Sequence, residues 1–226
     1  MSDKFIDRPT QIREDEKLHN LNLFKYLSKI LSHDIDSFEV FQFPSGYSNL
    51  TYLIKSANKE YVLRKPPYGA KIKSGHDMSR EFKVLSALKD NYNKTPIPIH
   101  YCSNIDIIGS DFYLMERVQG IILRSNNYKN ILENKEQYSV LAKGFVDTLV
   151  ELHSLDINKI GLGDFGNPEG YSTRQVVGWS KRYQNSKTGE LKEIEFVIDW
   201  LNRNIKQSKY QSLIHNDFKY DNLVLD

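Results

Sequence analysis

The spacing of apolar residues changes character along the chain, and each change marks a new kind of element. Leu18, Leu21, Phe24, Leu27, Ile30 and Leu31 recur at helical steps after a polar stretch over residues 1–16, which predicts an amphipathic helix. From residue 38 the pattern shortens to apolar runs at 38–43, 50–55 and 61–64, the last two joined by a polar turn at 56–59. Such runs read as an antiparallel meander, and its first turn, Pro44-Ser45-Gly46-Tyr47-Ser48-Asn49, carries a glycine. A loop rich in Pro, Gly and Lys (65–75) then leads to a second helix. Ser74 and Asp77 are expected to open it as a capping box, and Met78, Phe82, Leu85 and Leu88 follow at steps of four and three. Strands at 97–103 and 111–117 flank a turn around 106–109, the second ending at Val118-Gln119-Gly120.

Beyond Gly120 the pattern is helical. Asn134 and Gln137 are placed to cap a long helix whose apolar face is Leu141, Phe145, Leu149 and Leu152. A loop spaced by Gly161, Gly163, Gly166 and Gly170 precedes helices expected over 171–184 and 190–206. A sheet with one helix, followed by a mostly helical half, reads as an α+β fold in two lobes with a ligand cleft between them. The predicted organisation is a helical extension (1–34), a sheet lobe (35–119) and a helical lobe (120–226).

Composition narrows the partners. With 31 Lys and Arg against 29 Asp and Glu the formal charge is +2, so the chain lacks the basic field of a nucleic-acid binder, and an anionic ligand has to be held by local geometry. The single cysteine, Cys102, rules out an internal disulfide and fits a reducing compartment. No apolar run is long enough to span a bilayer, and the first residues lack the apolar core of a signal peptide. The expected setting is the cytoplasm, and the expected partner is a small molecule rather than nucleic acid or membrane.

The residues richest in chemistry come last. His215, Asp217 and Asn222 fall in the register H-x-D-x-x-x-x-N, the spacing of the catalytic loop in kinase-type phosphotransferases. A carboxylate at Asp217 suits accepting the proton of an attacking hydroxyl, the Asn222 amide oxygen suits holding Mg²⁺ on the phosphates, and His215 suits bracing the loop. A polar turn joining two strands would also use His and Asn, but Leu223-Val224-Leu225 directly after Asn222 tips the reading towards chemistry.

Such a site needs further parts upstream: a glycine-containing turn over the phosphates, a strand cation on them, and a helix glutamate to orient that cation. All three have candidates in the required order. They are the turn with Ser45, Gly46, Ser48 and Asn49, then Arg64 on Tyr61-Val62-Leu63-Arg64, then Glu81, 17 residues after Arg64. Lys65 is the alternative cation if the register slips by one, although lysine and arginine grip phosphate differently. Strand alternation puts Val62 on the face of Arg64, as an adenine wall. The backbone from Met115 through Glu116 to Val118 would then bond the adenine edge, with Val224 below.

Taken together with Leu149-Val150-Glu151-Leu152-His153, these segments resemble the aminoglycoside phosphotransferase and choline kinase-like family from about residue 35 to the end of the chain. The resemblance implies a protein-kinase-like fold and ATP-dependent phosphorylation of a small-molecule hydroxyl, with ATP and Mg²⁺ as cofactors. The segment Gly161-Leu162-Gly163-Asp164-Phe165-Gly166, with Tyr171, Arg174, Gln175 and Trp179, further resembles the branch fused to, or encoded near, acyl-CoA dehydrogenases. That branch is associated with hydroxy-acid or hydroxyacyl-CoA phosphorylation, which makes Arg174, Gln175 and Trp179 candidates for substrate contact and an aminoglycoside or choline-like acceptor the less favoured one. Family members continue past the catalytic loop into a further strand and an Asp-rich segment that supplies the main Mg²⁺ ligand, whereas this sequence ends at Asp226. The helical lobe is therefore expected to be truncated relative to the family, and a nucleotide-binding pseudokinase or inactive fragment is the alternative reading.

Overall fold

The computed structural model describes residues 5–31, 37–44, 49–56, 59–69, 76–125 and 127–225. Helix α1 (Asn20–Ile30) is followed by strands β1 (Glu39–Gln42), β2 (Leu50–Ser56) and β3 (Lys59–Lys65), helix α2 (Met78–Leu88), and strands β4 (Pro98–Cys102) and β5 (Phe112–Glu116). Helices α3 (Tyr128–Ile131), α4 (Lys135–His153), α5 (Tyr171–Ser186) and α6 (Lys192–Asn204) complete the α+β architecture. The strands make one five-stranded antiparallel sheet in the order β1-β2-β3-β5-β4. The chain divides into two compact units, Met1–Leu152 with His215–Asp226, and His153–Ile214. The first unit holds the sheet together with the chain end that carries Asp217. The second holds α5 and α6, paired through Gln184 and Lys187 to Glu195.

Alternation along β2 and β3 gives the sheet two apolar faces, and α1 covers one of them. Leu23 and Leu27, one helical turn apart and 0% and 1% exposed, join the buried cluster that includes Tyr52, Ile54, Leu63, Phe112 and Leu114. Leu21 departs from its expected place on this face and is 63% exposed. The helix starts only at Asn20, and at about 100° per residue Leu21 lies on the far side from Leu23. Leu27→Ala is therefore expected to cost about 2–5 kcal/mol, read as a lower urea midpoint with an unchanged slope, while Leu21→Ala stays within about 0.5 kcal/mol.

The helix starts follow from their caps. In α4 the Gln137 N–H donates to Asn134 Oδ1 at 3.0 Å and the Glu133 N–H donates to Gln137 Oε1 at 2.6 Å, which ties the first turn down from both sides. In α2 the cap is Asp77, whose carboxylate accepts from the Arg80 N–H at 2.9 Å, so the helix begins at Met78. Ser74, expected as the capping residue, lies outside the described residues. Among the described residues no helix is long and apolar enough to cross a membrane.

The end of the chain is fastened beside the sheet. Ile121 sits between Ile6 and Leu225 in antiparallel bridges, exchanging backbone hydrogen bonds of 2.8 Å with Leu225 in both directions. Gly120 permits this approach, since a Cβ there would stand 2.3 Å from the Leu225 carbonyl oxygen. The segment after Asn222 is thereby held to the residues that leave β5.

Candidate active site

The sheet face away from α1 carries the expected nucleotide residues. Its register aligns Phe41, Leu53, Val62 and Met115 in one cross-strand row, and Thr51, Arg64 and Tyr113 in the next. An apolar row thus lies directly beside one that carries a cation, as adenine and phosphates of one nucleotide would require. Alternation turns Lys65 to the opposite face, where it is buried with Nζ 3.4 Å from the Ile108 carbonyl and 4.1 Å from the Tyr68 ring centroid. Burial pushes its pKa down to about 8. The slipped register that would make Lys65 the working cation is not adopted.

Arg64 faces Glu81 on α2, its terminal nitrogen 3.6 Å from Glu81 Oε2. Two neutral donors come closer to this carboxylate. Asn49 Nδ2 donates to Oε1 at 2.8 Å and the Tyr113 hydroxyl donates to Oε2 at 2.9 Å. Desolvation raises the Tyr113 pKa, so the phenol stays a donor at neutral pH. His76 Nδ1 lies 2.8 Å from Asn49 Oδ1 and closes the network. Neither Tyr113 nor His76 was among the expected site residues. The pairing of Tyr113 with Arg64 across β3 and β5 is a register fact that neither strand shows alone.

The Asp217 loop stands on an aromatic base. Phe145 of α4 packs against Phe218 and Tyr220, with ring centroids 4.4 and 4.7 Å away, and His215 meets Phe218 edge-on at 5.5 Å. Asn216 takes φ 66°, a left-handed conformation that asparagine tolerates better than most residues, and this turns the chain between His215 and Asp217. The Asp217 N–H donates to His215 Nδ1 at 3.4 Å, so the neutral ring carries its proton on Nε2. Desolvation of the ring lowers the His215 pKa, with the Asp217 carboxylate opposing, and favours that neutral form. A short 3₁₀ turn at Tyr220–Asn222 brings Asn222 back, and its Nδ2 donates to Asp217 Oδ2 at 2.8 Å and to the Asp217 carbonyl at 2.9 Å.

Lys219 Nζ lies 3.0 Å from Asp217 Oδ2. This lysine, first, and then the Asn222 amide hold the Asp217 carboxyl below the ordinary aspartate range. A carboxylate serves as a general base only when ionised, so any activity that uses Asp217 in that role should fall as pH drops through that lowered pKa. Lys219→Met is expected to move the acid limb of kcat/KM upward, by a fraction of a pH unit because both side chains are exposed and screened. An unmoved limb would show that Lys219 does not tune this carboxylate.

The remaining expected residues are spread over both units. Ser45, Gly46 and Ser48 lie outside the described residues. Val62 is buried, Met115 half-buried, and Val118 and Val224 are exposed. The Glu116 N–H is already committed to the Ile97 carbonyl at 2.9 Å, whereas among the described residues Val118 makes no backbone–backbone hydrogen bond. In the second unit, Arg174 donates to the carbonyls of Asn167 and Glu169 and so braces the loop before α5. Gln175 and Trp179 are exposed one turn apart on α5, and Arg182 lies over the Trp179 ring at 4.5 Å.

The profile of the phosphotransferase enzyme family that includes the aminoglycoside phosphotransferases matches residues 39–226. The chain belongs to this family. Among curated relatives of this chain, acyl-CoA dehydrogenase family member 11 of Rattus norvegicus is 40% identical over 186 residues, 82% of this chain and 24% of the rat protein. The chain thus spans about a quarter of the length of that relative. A crystal structure of a Ralstonia eutropha protein named an aminoglycoside phosphotransferase superposes with a TM-score of 0.78 and 26% identity, over 92% of this chain and 61% of that one. Spectinomycin phosphotransferase, solved with ADP and spectinomycin, shares the fold at a TM-score of 0.53 and 15% identity, over 91% of this chain and 65% of its own.

Proposed function

We propose that this phosphotransferase transfers the γ-phosphate of ATP to a hydroxyl group of a small molecule. The observation that carries the reading is the exposed Asp217 carboxylate, kept ionised by Lys219 and aligned by Asn222 on a loop anchored to α4. It suits the task of taking the proton from an acceptor hydroxyl as that oxygen bonds to phosphorus. Neutral His215 accepts the Asp217 N–H and so fixes the loop rather than exchanging protons with substrate.

The donor chemistry of the loop fits magnesium. The Asn222 amide nitrogen is committed to Asp217, which leaves its oxygen as the ligand atom, and Mg²⁺ prefers a few protein oxygens completed by water and phosphate. Bound MgATP supplies the transferable phosphoryl group and neutralises part of its charge. On the sheet, Arg64 would meet the phosphates with a planar fork, and Val62 with Met115 would cover the base.

For the acceptor, the likeness to acyl-CoA dehydrogenase family members supports a hydroxy acid or hydroxyacyl-CoA ahead of an aminoglycoside or choline-like alcohol. A cytoplasmic setting goes with this reading, supported by the buried free thiol of Cys102. The test is ADP release by the purified chain with MgATP and a panel of hydroxy acids, hydroxyacyl-CoAs, aminoglycosides and choline. Acceptor-dependent ADP with an equal amount of phosphoester is expected for the hydroxyacyl class. ADP formation no faster than without acceptor would refute the reading.

A further inference from the structure

The link that leaves β5, Val118-Gln119-Gly120, belongs to no helix or strand, and among the described residues neither Val118 nor Gln119 makes a backbone–backbone hydrogen bond. Backbone in that state keeps freedom that a ligand must remove on binding, unless the fold removes it first.

The restraint comes from the first residues of the chain. The Asp7 N–H donates to the Gly120 carbonyl at 3.1 Å, and the Asp7 carbonyl accepts from Arg117 Nη2 at 3.0 Å. The Asp7 carboxylate pairs with Arg124 Nη2 at 2.9 Å. One residue thus reaches the link at its end and on both flanks. Both arginines are fixed from elsewhere as well. Arg117, with a side chain 9% exposed, pairs with Glu60, which also accepts from Gln119 Nε2 at 2.8 Å, and the Arg124 N–H donates to Asn127 Oδ1 at 2.7 Å.

Asp7 has a footing of its own. Ile6 pairs with Ile121, while Thr10 and Gln42 exchange backbone hydrogen bonds of 2.7 and 2.9 Å. Gln42, 1% exposed, follows Phe41 of the apolar row, and Arg8 and Pro9 line one cavity together with Phe41 and Gln119. Residues 6–10 therefore run from the link to β1 beside the row that would cover the base.

We propose that Asp7 is a positioning residue that fixes the Val118–Gly120 link and so presets the edge that a nucleotide base meets. This role depends on the nucleotide-binding reading above. Asp7 lies ahead of residues 39–226, the part that matches the phosphotransferase family, so the brace comes from outside that match. Truncating its side chain removes the tie to Arg124 and leaves the backbone ties to Gly120 and Arg117 in place. The chain should stay folded while the link loosens.

Two readouts test this on the full chain. In backbone ¹⁵N relaxation of the ligand-free protein, Val118 and Gln119 should have order parameters near the ~0.85 of rigid backbone, and Asp7→Ala should bring them towards ~0.6 without changing β3 or β5. Calorimetry with MgADP should show Asp7→Ala binding roughly tenfold more weakly, on the scale of one charge-assisted hydrogen bond. Asp7→Asn, which keeps an oxygen for Arg124, should recover part of the loss. Arg124→Met should repeat it, and the double variant should be no weaker than either single one, because both remove the same contact. A side chain that serves folding alone predicts a lower melting temperature with unchanged ADP affinity below it. That result, additive losses in the double variant, a flexible link in the wild type, or order parameters in Asp7→Ala equal to the wild type would each overturn the proposal. Failure of the wild-type chain to bind ADP would instead refute the nucleotide reading, leaving the relaxation measurement to judge the brace.

Discussion

Asp217→Asn is expected to lower kcat by about 10²- to 10⁴-fold while the chain stays folded and keeps its affinity for ADP. The substitution removes the proton acceptor and little else. Asn222 retains its bond to the residue 217 carbonyl, the Phe145, Phe218 and Tyr220 packing is untouched, and the new side chain keeps one oxygen for Lys219 or Asn222. Because the group is solvent-exposed, its loss leaves no buried charge unpaired, and thermal unfolding should change little. Turnover equal to the wild type would remove Asp217 from the mechanism.

The second large effect is expected at Arg64. Arg64→Met should cut kcat/KM for ATP by about 10²- to 10³-fold, the range for losing one preorganised charge-stabilising donor. Arg64→Lys should recover only part of this, since an ammonium on a flexible stem cannot reproduce the planar fork. The side chain is 33% exposed and Glu81 keeps the Asn49 and Tyr113 bonds without it, so the loss should appear in nucleotide use far more than in stability. An equal fall in folding stability and activity would mark Arg64 as a structural residue.

Local signals made much of this arrangement readable from sequence. The 3.6- and 2-residue periods located the helices and the meander, and the interval from Arg64 to Glu81 identified the ion pair because β3 and α2 are neighbours in both sequence and space. The closeness of Asp217 and Asn222 is readable for the same reason, since one 3₁₀ turn closes the loop within six residues. What stayed hidden depends on pairings between distant segments. Tyr113 reaches Glu81 only because β5 lies beside β3 instead of β4 lying there, and no spacing along the chain reports strand order. His76 reads as an ordinary loop residue until Asn49 is brought to it, and Asn49 itself reads as a phosphate ligand until its amide is seen to be occupied. Leu21 was misplaced because apolar spacing fixes a helical face only once the first residue of the helix is known.

Calorimetric titration of ATP into the wild-type chain and Arg64→Met, with and without Mg²⁺, tests whether Arg64 and the Asp217–Asn222 loop serve one MgATP site. The wild type is expected to bind ATP more tightly with Mg²⁺ than without it, and Arg64→Met to lose most of this affinity. ATP that fails to bind the wild type, or that binds both proteins equally well, would contradict it.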